Sequence, residues 1–366
     1  MHTVDFYLYN FIKIRSVGMP SDVNRLILEQ LRCFVSKSNM SSTRLSEQPD
    51  IHIECCSDLP TLNGRGEQLG SSFNFNVIRS LKSDRVMVIF NYRGVPDVVL
   101  DFTAPDVPVH ISFRRRKGIA RRVYGLLLFG IIQALKMNHD LLCHGAVLQK
   151  DQKGILIAGH RGIGKTMILL SLLKAGWGYI GDDKFILSDG KAYLFQDFIV
   201  LRDHHFSALP WLTGRDPDFA RFAKKAKLQK YLQYQILKWL PQKILPSLDR
   251  FLNPAMRVTP DRICKQAVTL SETTISTGIV LGQGDRFEAK EISRKAFIQK
   301  FDLLQQMAIR EYNDLEKMIY YYCPKRQINW AQVLDDNIHG NRFIDITVPM
   351  NVGFDSIGKK VVQCLT

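Results

Sequence analysis

Gly159-His-Arg-Gly-Ile-Gly-Lys-Thr166 decides the reading of this 366-residue chain. It follows the spacing G-x-x-x-x-G-K-[ST], in which glycines let successive backbone N–H groups turn inward around phosphate oxygens. Lys165 then supplies a mobile cation for the β- and γ-phosphates, and Thr166 a hydroxyl for Mg²⁺. At ordinary glycine abundance the pattern arises by accident in roughly one or two of a hundred chains of this length. The flanks agree with it. Gly154-Ile-Leu-Ile-Ala158 reads as a buried strand leading into the loop, and Lys165–Ala175 as a helix with Gly176 at its C-terminal cap. Strand, glycine loop and helix turn a helix N-terminus toward phosphate. Gly159, His160, Arg161, Gly162, Ile163, Gly164, Lys165 and Thr166 are therefore the expected nucleotide-binding set.

Downstream, Gly178-Tyr-Ile-Gly-Asp-Asp183 sets its second aspartate seventeen positions after Thr166. A short strand ending in acids beside such a loop normally supplies a carboxylate to the metal shell or to a water. Strand alternation points Asp182 and Asp183 to opposite faces, so one of them is expected to meet the phosphates directly.

Upstream, Leu141-Leu-Cys-His-Gly-Ala-Val-Leu148 is a second apolar run, joined to the loop strand by the polar turn Lys150-Asp-Gln-Lys153. Two such runs about a four-residue turn read as a β-hairpin. Counting inward pairs Gln149 with Gly154, Ala146 with Ile157 and His144 with Gly159. His144 is then either a satisfied core histidine or a functional group beside the phosphate loop.

These three segments, Cys143-His-Gly-Ala-Val, Gly159–Thr166 and Ala175-Gly-Trp-Gly-Tyr-Ile-Gly-Asp-Asp, resemble the bacterial HPr kinase/phosphorylase superfamily. Their order and spacing are also similar to ATP-dependent phosphoenolpyruvate carboxykinase, which shares that nucleotide fold. The resemblance covers residues 140–200 well and the C-terminal third in outline. It implies an α/β P-loop kinase domain using ATP and Mg²⁺. Lys165 would bind phosphates, Thr166 the metal, and Asp183 would accept the substrate hydroxyl proton with His144 beside it. The chain departs from the family in lacking its glycine-rich Glu-x-Arg-Gly signature. Phe195-Gln-Asp-Phe-Ile-Val-Leu-Arg-Asp203 stands there instead, leaving the family's metal-shell glutamate unassigned, with Asp197 a weak substitute. The chain looks more like the looser group of HPr-kinase-related proteins, some of which phosphorylate peptides or small molecules.

Composition is that of an intracellular protein. Apolar residues make up 46% of the chain, enough for buried cores. Seven cysteines, an odd number with no C-x-x-C, argue against a disulfide framework or zinc site. Met1–Pro20 lacks a signal-peptide pattern, and Val123–Met137 is too short to span a bilayer and reads as a buried helix. The expected location is cytoplasmic, without a transmembrane segment.

The chain is expected to divide near residue 115. Residues 1–115 form a small α+β domain with strands at Val4–Tyr9, Ile51–Cys55, Arg85–Asn91, Val98–Phe102 and Val109–Phe113. A helix is expected over Asp22–Ser36 and a loop over Lys37–Pro49. Residues 116–366 form the kinase domain, opened by the basic run Arg114–Arg122. The C-terminal third reads as strands at Thr277–Leu281 and Arg342–Pro349 and helices at Ser293–Met307, Ile309–Tyr321 and Asp355–Gln363.

The formal charge of +15 is unevenly spread. Arg221–Arg250 carries eight Lys/Arg against one acid, Asp249, inside a helical insertion around 218–257. Leu228, Leu232, Gln235 and Trp239 fall at near-helical spacing there, before Pro241 and Pro246 break the segment. It reads either as a docking helix for an acidic partner or as a solvated covering of the core. Nucleic acid is disfavoured, because no recognition motif accompanies the charge. Arg161, Arg202, Arg257 and Arg262 are candidates for stabilising phosphoryl charge, and His204-His205 reads as a surface pair. Taken together, these residues lead to the expectation of an ATP- and Mg²⁺-dependent kinase acting on a hydroxyl of a peptide, protein or small molecule. Thr166 and Asp182 are expected to hold the metal and His144, Lys165 and Asp183 to do the chemistry, with a homo-oligomer possible. The alternative is a nucleotide-binding regulatory or scaffold protein with little or no transfer.

Overall fold

The computed structural model describes residues 3–9, 11–31, 49–57, 59, 66–72, 75–80, 86–92, 95–102, 109–237, 254–308, 329–349 and 354–365. Two compact units result: residues 1–142 with 309–336, and residues 143–308 with 337–366. Both mix sheet and helix.

The first unit is built on an eight-stranded sheet. Its strands are β1 (Thr3–Leu8), β2 (Ile12–Val17), β3 (Ile51–Cys56), β4 (Gly66–Ser72), β5 (Phe75–Ser80), β6 (Val86–Tyr92), β7 (Val95–Phe102) and β8 (Val109–Arg114). They lie in the order β1-β2-β3-β8-β7-β6-β5-β4. Alternation sets Ile51 and Ile53 in the core and leaves His52 and Glu54 partly exposed, the period-two pattern of a sheet covered on one face. Two helices lie against this sheet and each other, α1 (Ser21–Gln30) and α2 (Ala120–Met137). Of the helix expected over Asp22–Ser36, the described part ends at Gln30; residues 32–48, with most of the expected loop, lie outside the described residues.

The helix expected to open the second domain belongs to the first. A Cβ added at Gly130 would stand 3.4 Å from Ile51 Cδ1 and 3.6 Å from Val109 Cγ1, so α2 is seated directly on β3 and β8. Every residue from Leu126 to Lys136 is buried, and so apolar a helix needs a sheet beneath it. By packing, the boundary therefore falls between Leu142 and Cys143 rather than near residue 115. Part of the basic run is structural too: Arg116 and Arg122 close on Asp97, which is 4% exposed, with Arg122 Nη1 2.8 Å from both carboxylate oxygens. A buried carboxylate requires such partners.

The short strand β9 (Leu141–Cys143) leads into the second unit, where β10 (Ala146–Lys150) and β11 (Lys153–Gly159) form the expected hairpin. The register pairs Ala146 with Ile157 and Gln149 with Gly154. Next in the chain come β12 (Gly178–Gly181), β13 (Phe185–Ser188), β14 (Lys191–Leu194), β15 (Ile199–Arg202) and β16 (Ala255–Val258). The set ends with β17 (Glu272–Gly284), β18 (Glu288–Glu291) and β19 (Arg342–Pro349). Strand β12 pairs with β10, while β11, β17 and β19 run parallel side by side. The strand expected at Thr277–Leu281 is thus the middle of a thirteen-residue strand that also carries the β13–β14 hairpin. Edge strand β18 is exposed throughout and reads Glu-Ala-Lys-Glu, charges that discourage edge-to-edge pairing.

The helices of this unit are α3 (Lys165–Lys174), α4 (Asp203–Ala208), α5 (Pro217–Leu237), α6 (Pro260–Ile263), α7 (Arg294–Ala308) and α9 (Phe354–Leu365); α8 (Trp330–Asn337) falls mostly in the first. Helix α3 packs on β10 and β11, α7 on β17 and β19, and α9 on α3. The α7 contact is tight: a Cβ at Gly278 would stand 2.6 Å from the Phe297 ring. The expected helix at Ile309–Tyr321, and Trp239, Pro241 and Pro246 of the basic segment, lie outside the described residues. Among the described residues no helix is long and apolar enough to cross a membrane.

Candidate active site

The glycine loop runs from the end of β11 to the start of α3, as its sequence requires. Gly162 has φ 86° and Gly164 φ 103°, left-handed conformations that side-chain-bearing residues avoid. Gly159 is a glycine for another reason: a Cβ there would stand 2.8 Å from Ile163 Cγ2 and 3.1 Å from Leu281 Cβ. Ile163 is buried and anchors the loop, while His160, Arg161 and Gly162 are exposed. Gly164 caps α3, so the free N–H groups of the first turn open at the loop.

Lys165 is 8% exposed, and its Nζ donates to the carbonyls of Gly159 at 2.6 Å and His160 at 3.2 Å. Burial pulls its pKa down, against the attraction of Asp182 and Asp183. The Thr166 hydroxyl lies 3.2 and 3.3 Å from the two carboxylate oxygens of Asp182. Asp182 is 6% exposed. Burial, reinforced by the negative charge of Asp183, pushes its carboxyl up to about 7, with Lys165 and Thr166 working in the other direction.

Asp183 differs sharply from its neighbour. Strand β12 stops at Gly181, and Asp183 adopts φ 72°, so a turn rather than strand pleating separates the two carboxylates. Its side chain is 51% exposed; His144 Nδ1 stands 3.2 Å from Oδ1 and Lys184 Nζ 2.7 Å from Oδ2. Burial works to raise this carboxyl, but the hydrogen bond from His144 and the Lys184 ammonium outweigh it and hold it well below the ordinary carboxylate range.

His144 reaches Asp183 by a route other than the expected one. The apolar run breaks between Cys143 and Ala146, so the hairpin ladder ends at Ala146 and Ile157, before His144, while Gly159 continues the parallel ladder with Leu281 of β17 on the other edge of β11. The backbone of His144 is held by a side chain: its N–H donates to Gln305 Oε1 at 2.6 Å, and Gln305 Nε2 donates to its carbonyl at 2.9 Å. Gln305 lies 161 positions away and was missed; no local signal could have found it. Lys184 was missed as well, although a cation following Asp-Asp was legible.

Two further sequence readings are corrected. His205 is 5% exposed, not a surface residue: it lies in the first turn of α4, its Nδ1 accepts the Arg202 N–H at 2.9 Å, and burial lowers its pKa to about 3. Arg262 is engaged by Asp216 and by Asp218, the latter at 3.0 Å, so it braces the start of α5. Arg257 lies over the Phe198 ring at 4.9 Å.

The donor set fits a small hard cation. A threonine hydroxyl and an aspartate converge at the loop, and a buried carboxylate with so little compensation favours positive charge beside it. Among the described residues no group of three or more His, Cys, Asp and Glu side chains forms a cage. Two protein oxygens suit Mg²⁺, which keeps several waters and takes phosphate oxygens as further ligands.

No protein-family model matches the chain, and no curated protein matches it. Among solved structures, the Hpr(Ser) kinase/phosphatase from Coxiella burnetii is similar at 11% identity and TM-score 0.27, over 62% of this chain and 96% of that one.

Proposed function

We propose that the protein is an ATP-dependent kinase that transfers the γ-phosphate to a hydroxyl of a peptide, a protein or a small molecule. The observation that carries this reading is the pairing of two unlike carboxylates beside one glycine loop. Asp182 is buried against Thr166, while Asp183 is half-exposed against His144 and Lys184. A nucleotide hydrolase needs the first; a second carboxylate, open to solvent and oriented by an imidazole, suits an incoming hydroxyl.

In this reading the loop N–H groups bind the triphosphate and Lys165 leaves its loop carbonyls to neutralise phosphoryl charge. Thr166 and Asp182 would hold Mg²⁺, which supplies charge neutralisation on the phosphate oxygens when bound. Asp183 takes the hydroxyl proton, and His144 keeps that carboxylate aimed. Positioning and electrostatics do most of the work, as phosphoryl transfer demands. The test is transfer of labelled γ-phosphate to components of a native lysate, with Lys165→Met as control. Label on an acceptor that disappears with Lys165→Met supports the kinase. Tight ATP binding without transfer to any acceptor would leave a nucleotide-binding regulatory protein as the better reading.

A further inference from the structure

We infer that Gln305, on α7, is a positioning residue that sets the direction of the His144 imidazole; this rests on the kinase reading of the site. His144 lies where the chain leaves β9 before entering β10, outside the hairpin ladder, so its peptide groups lack the partners a strand would give them. The Gln305 carboxamide supplies both, accepting from the N–H at 2.6 Å and donating to the carbonyl at 2.9 Å. The amide thus imitates one step of a neighbouring strand. Gln305 is 1% exposed, so water does not compete for these bonds, and its planar carboxamide tolerates little rotation once both are made.

The following residue closes the clamp from the other side. A Cβ at Gly145 would stand 3.0 Å from Ile157 O, 3.1 Å from Phe185 Cε1 and 3.2 Å from Leu156 Cδ1. With the backbone pinned at 144 and crowded at 145, the Cα–Cβ direction of His144 is fixed, and from there the ring brings Nδ1 to 3.2 Å from Asp183 Oδ1.

Three measurements test this. Gln305→Met, of similar length but without hydrogen bonds, should slow single-turnover transfer by ~10-fold or more, close to the loss in His144→Ala, with ATP affinity unchanged. The double variant should be no slower than His144→Ala alone, because Gln305 acts through the histidine. A full rate in folded Gln305→Met, or losses that multiply, would overturn the proposal. Without nucleotide or acceptor, the ¹⁵N resonances of His144 in the wild type should report a proton on Nδ1, and Gln305→Met should move them toward a mixed tautomer; identical resonances in both overturn it. Should the variant not fold, hydrogen exchange in the wild type decides: the His144 amide must be protected although it lies outside the ladder, and fast exchange overturns the inference. If the wild type transfers phosphate to nothing, the kinase reading fails, while the ¹⁵N and exchange results still decide the role of Gln305.

Discussion

Gly358 of α9 approaches Ser171 of α3 so closely that a Cβ on the glycine would stand 2.2 Å from the serine Oγ and 2.4 Å from its Cβ. The helix that begins at the glycine loop is therefore braced by the last helix of the chain at a point where no side chain fits. Gly358→Ala would gain about 1 kcal/mol of helix propensity. Overpacking costs roughly 1–3 kcal/mol, and here the obstacle includes a Cβ that cannot rotate away. The clash wins, and we expect a lower melting temperature. Ser171→Gly should restore part of the loss in the double variant, as thermal denaturation of the four proteins would show. Additive losses would mean that the two helices do not meet at this point.

Asp182 gives a pH dependence with a definite sign. Its carboxyl stands at about 7 in the fold against 3.8 when unfolded. The folded protein holds that proton more tightly, so the contribution to stability is present below the unfolded value and is lost as pH rises through about 7. Asp182→Asn keeps the size and removes the titration. Without Mg²⁺, the variant should gain on the wild type between pH 4 and pH 8, by an amount of order 2–4 kcal/mol at about 1.4 kcal/mol per pKa unit. Denaturant titrations across that range measure it. Added Mg²⁺ should stabilise only the wild type. A stability difference that does not change with pH would show that Asp182 is not strained by its burial.

How much of this was legible depended on how local each cause is. The strand–loop–helix turn from Gly159 to Thr166 was readable because its glycines and flanking apolar runs are consecutive in the chain, and the hairpin register because Lys150–Lys153 makes a polar turn between apolar runs. The break at His144 was not, since it answers to Gln305, 161 positions away, and to the crowding of Gly145 by Phe185. Nor could the separation of Asp182 from Asp183 be read from strand alternation, because the strand had already ended at Gly181. His205 looked like half of a surface pair; tertiary burial at the start of α4 decided otherwise. Helix α2 was legible as buried, but composition does not say which sheet buries it.

The basic helix α5 offers a test of an acidic partner. Phe219 and Ala226 are buried, while Leu228 and Tyr231 are 58% and 63% exposed among Lys224, Lys225 and Lys227. Reversing those three lysines to glutamate should leave ATP affinity within about twofold. It should weaken capture of an acidic polypeptide, and the deficit should shrink as salt screens the charges over a Debye length of about 8–10 Å. Binding that ignores both salt and charge reversal would leave this face a solvated cover.

The division of labour between the two aspartates is open to direct attack. If Asp183 accepts the hydroxyl proton, Asp183→Asn should bind Mg²⁺–ATP as the wild type does, because Thr166 and Asp182, the pair proposed to hold the metal, is untouched. It should transfer phosphate at least ~100-fold more slowly, the scale of a lost general base. His144→Ala should cost less, since the imidazole orients the carboxylate from 3.2 Å and Lys184 still holds it from 2.7 Å. Losing the histidine should also raise the Asp183 carboxyl toward the ordinary carboxylate range, because its hydrogen bond is the largest of the effects that hold it down. The acid limb of the rate profile should then move to higher pH in His144→Ala. Calorimetry with Mg²⁺–ATP and single-turnover transfer from pH 4 to pH 8 supply the measurements. Normal transfer with damaged metal binding in Asp183→Asn would make Asp183 a metal ligand and move the proton to another group. Full transfer in both variants would leave the pair without a chemical role.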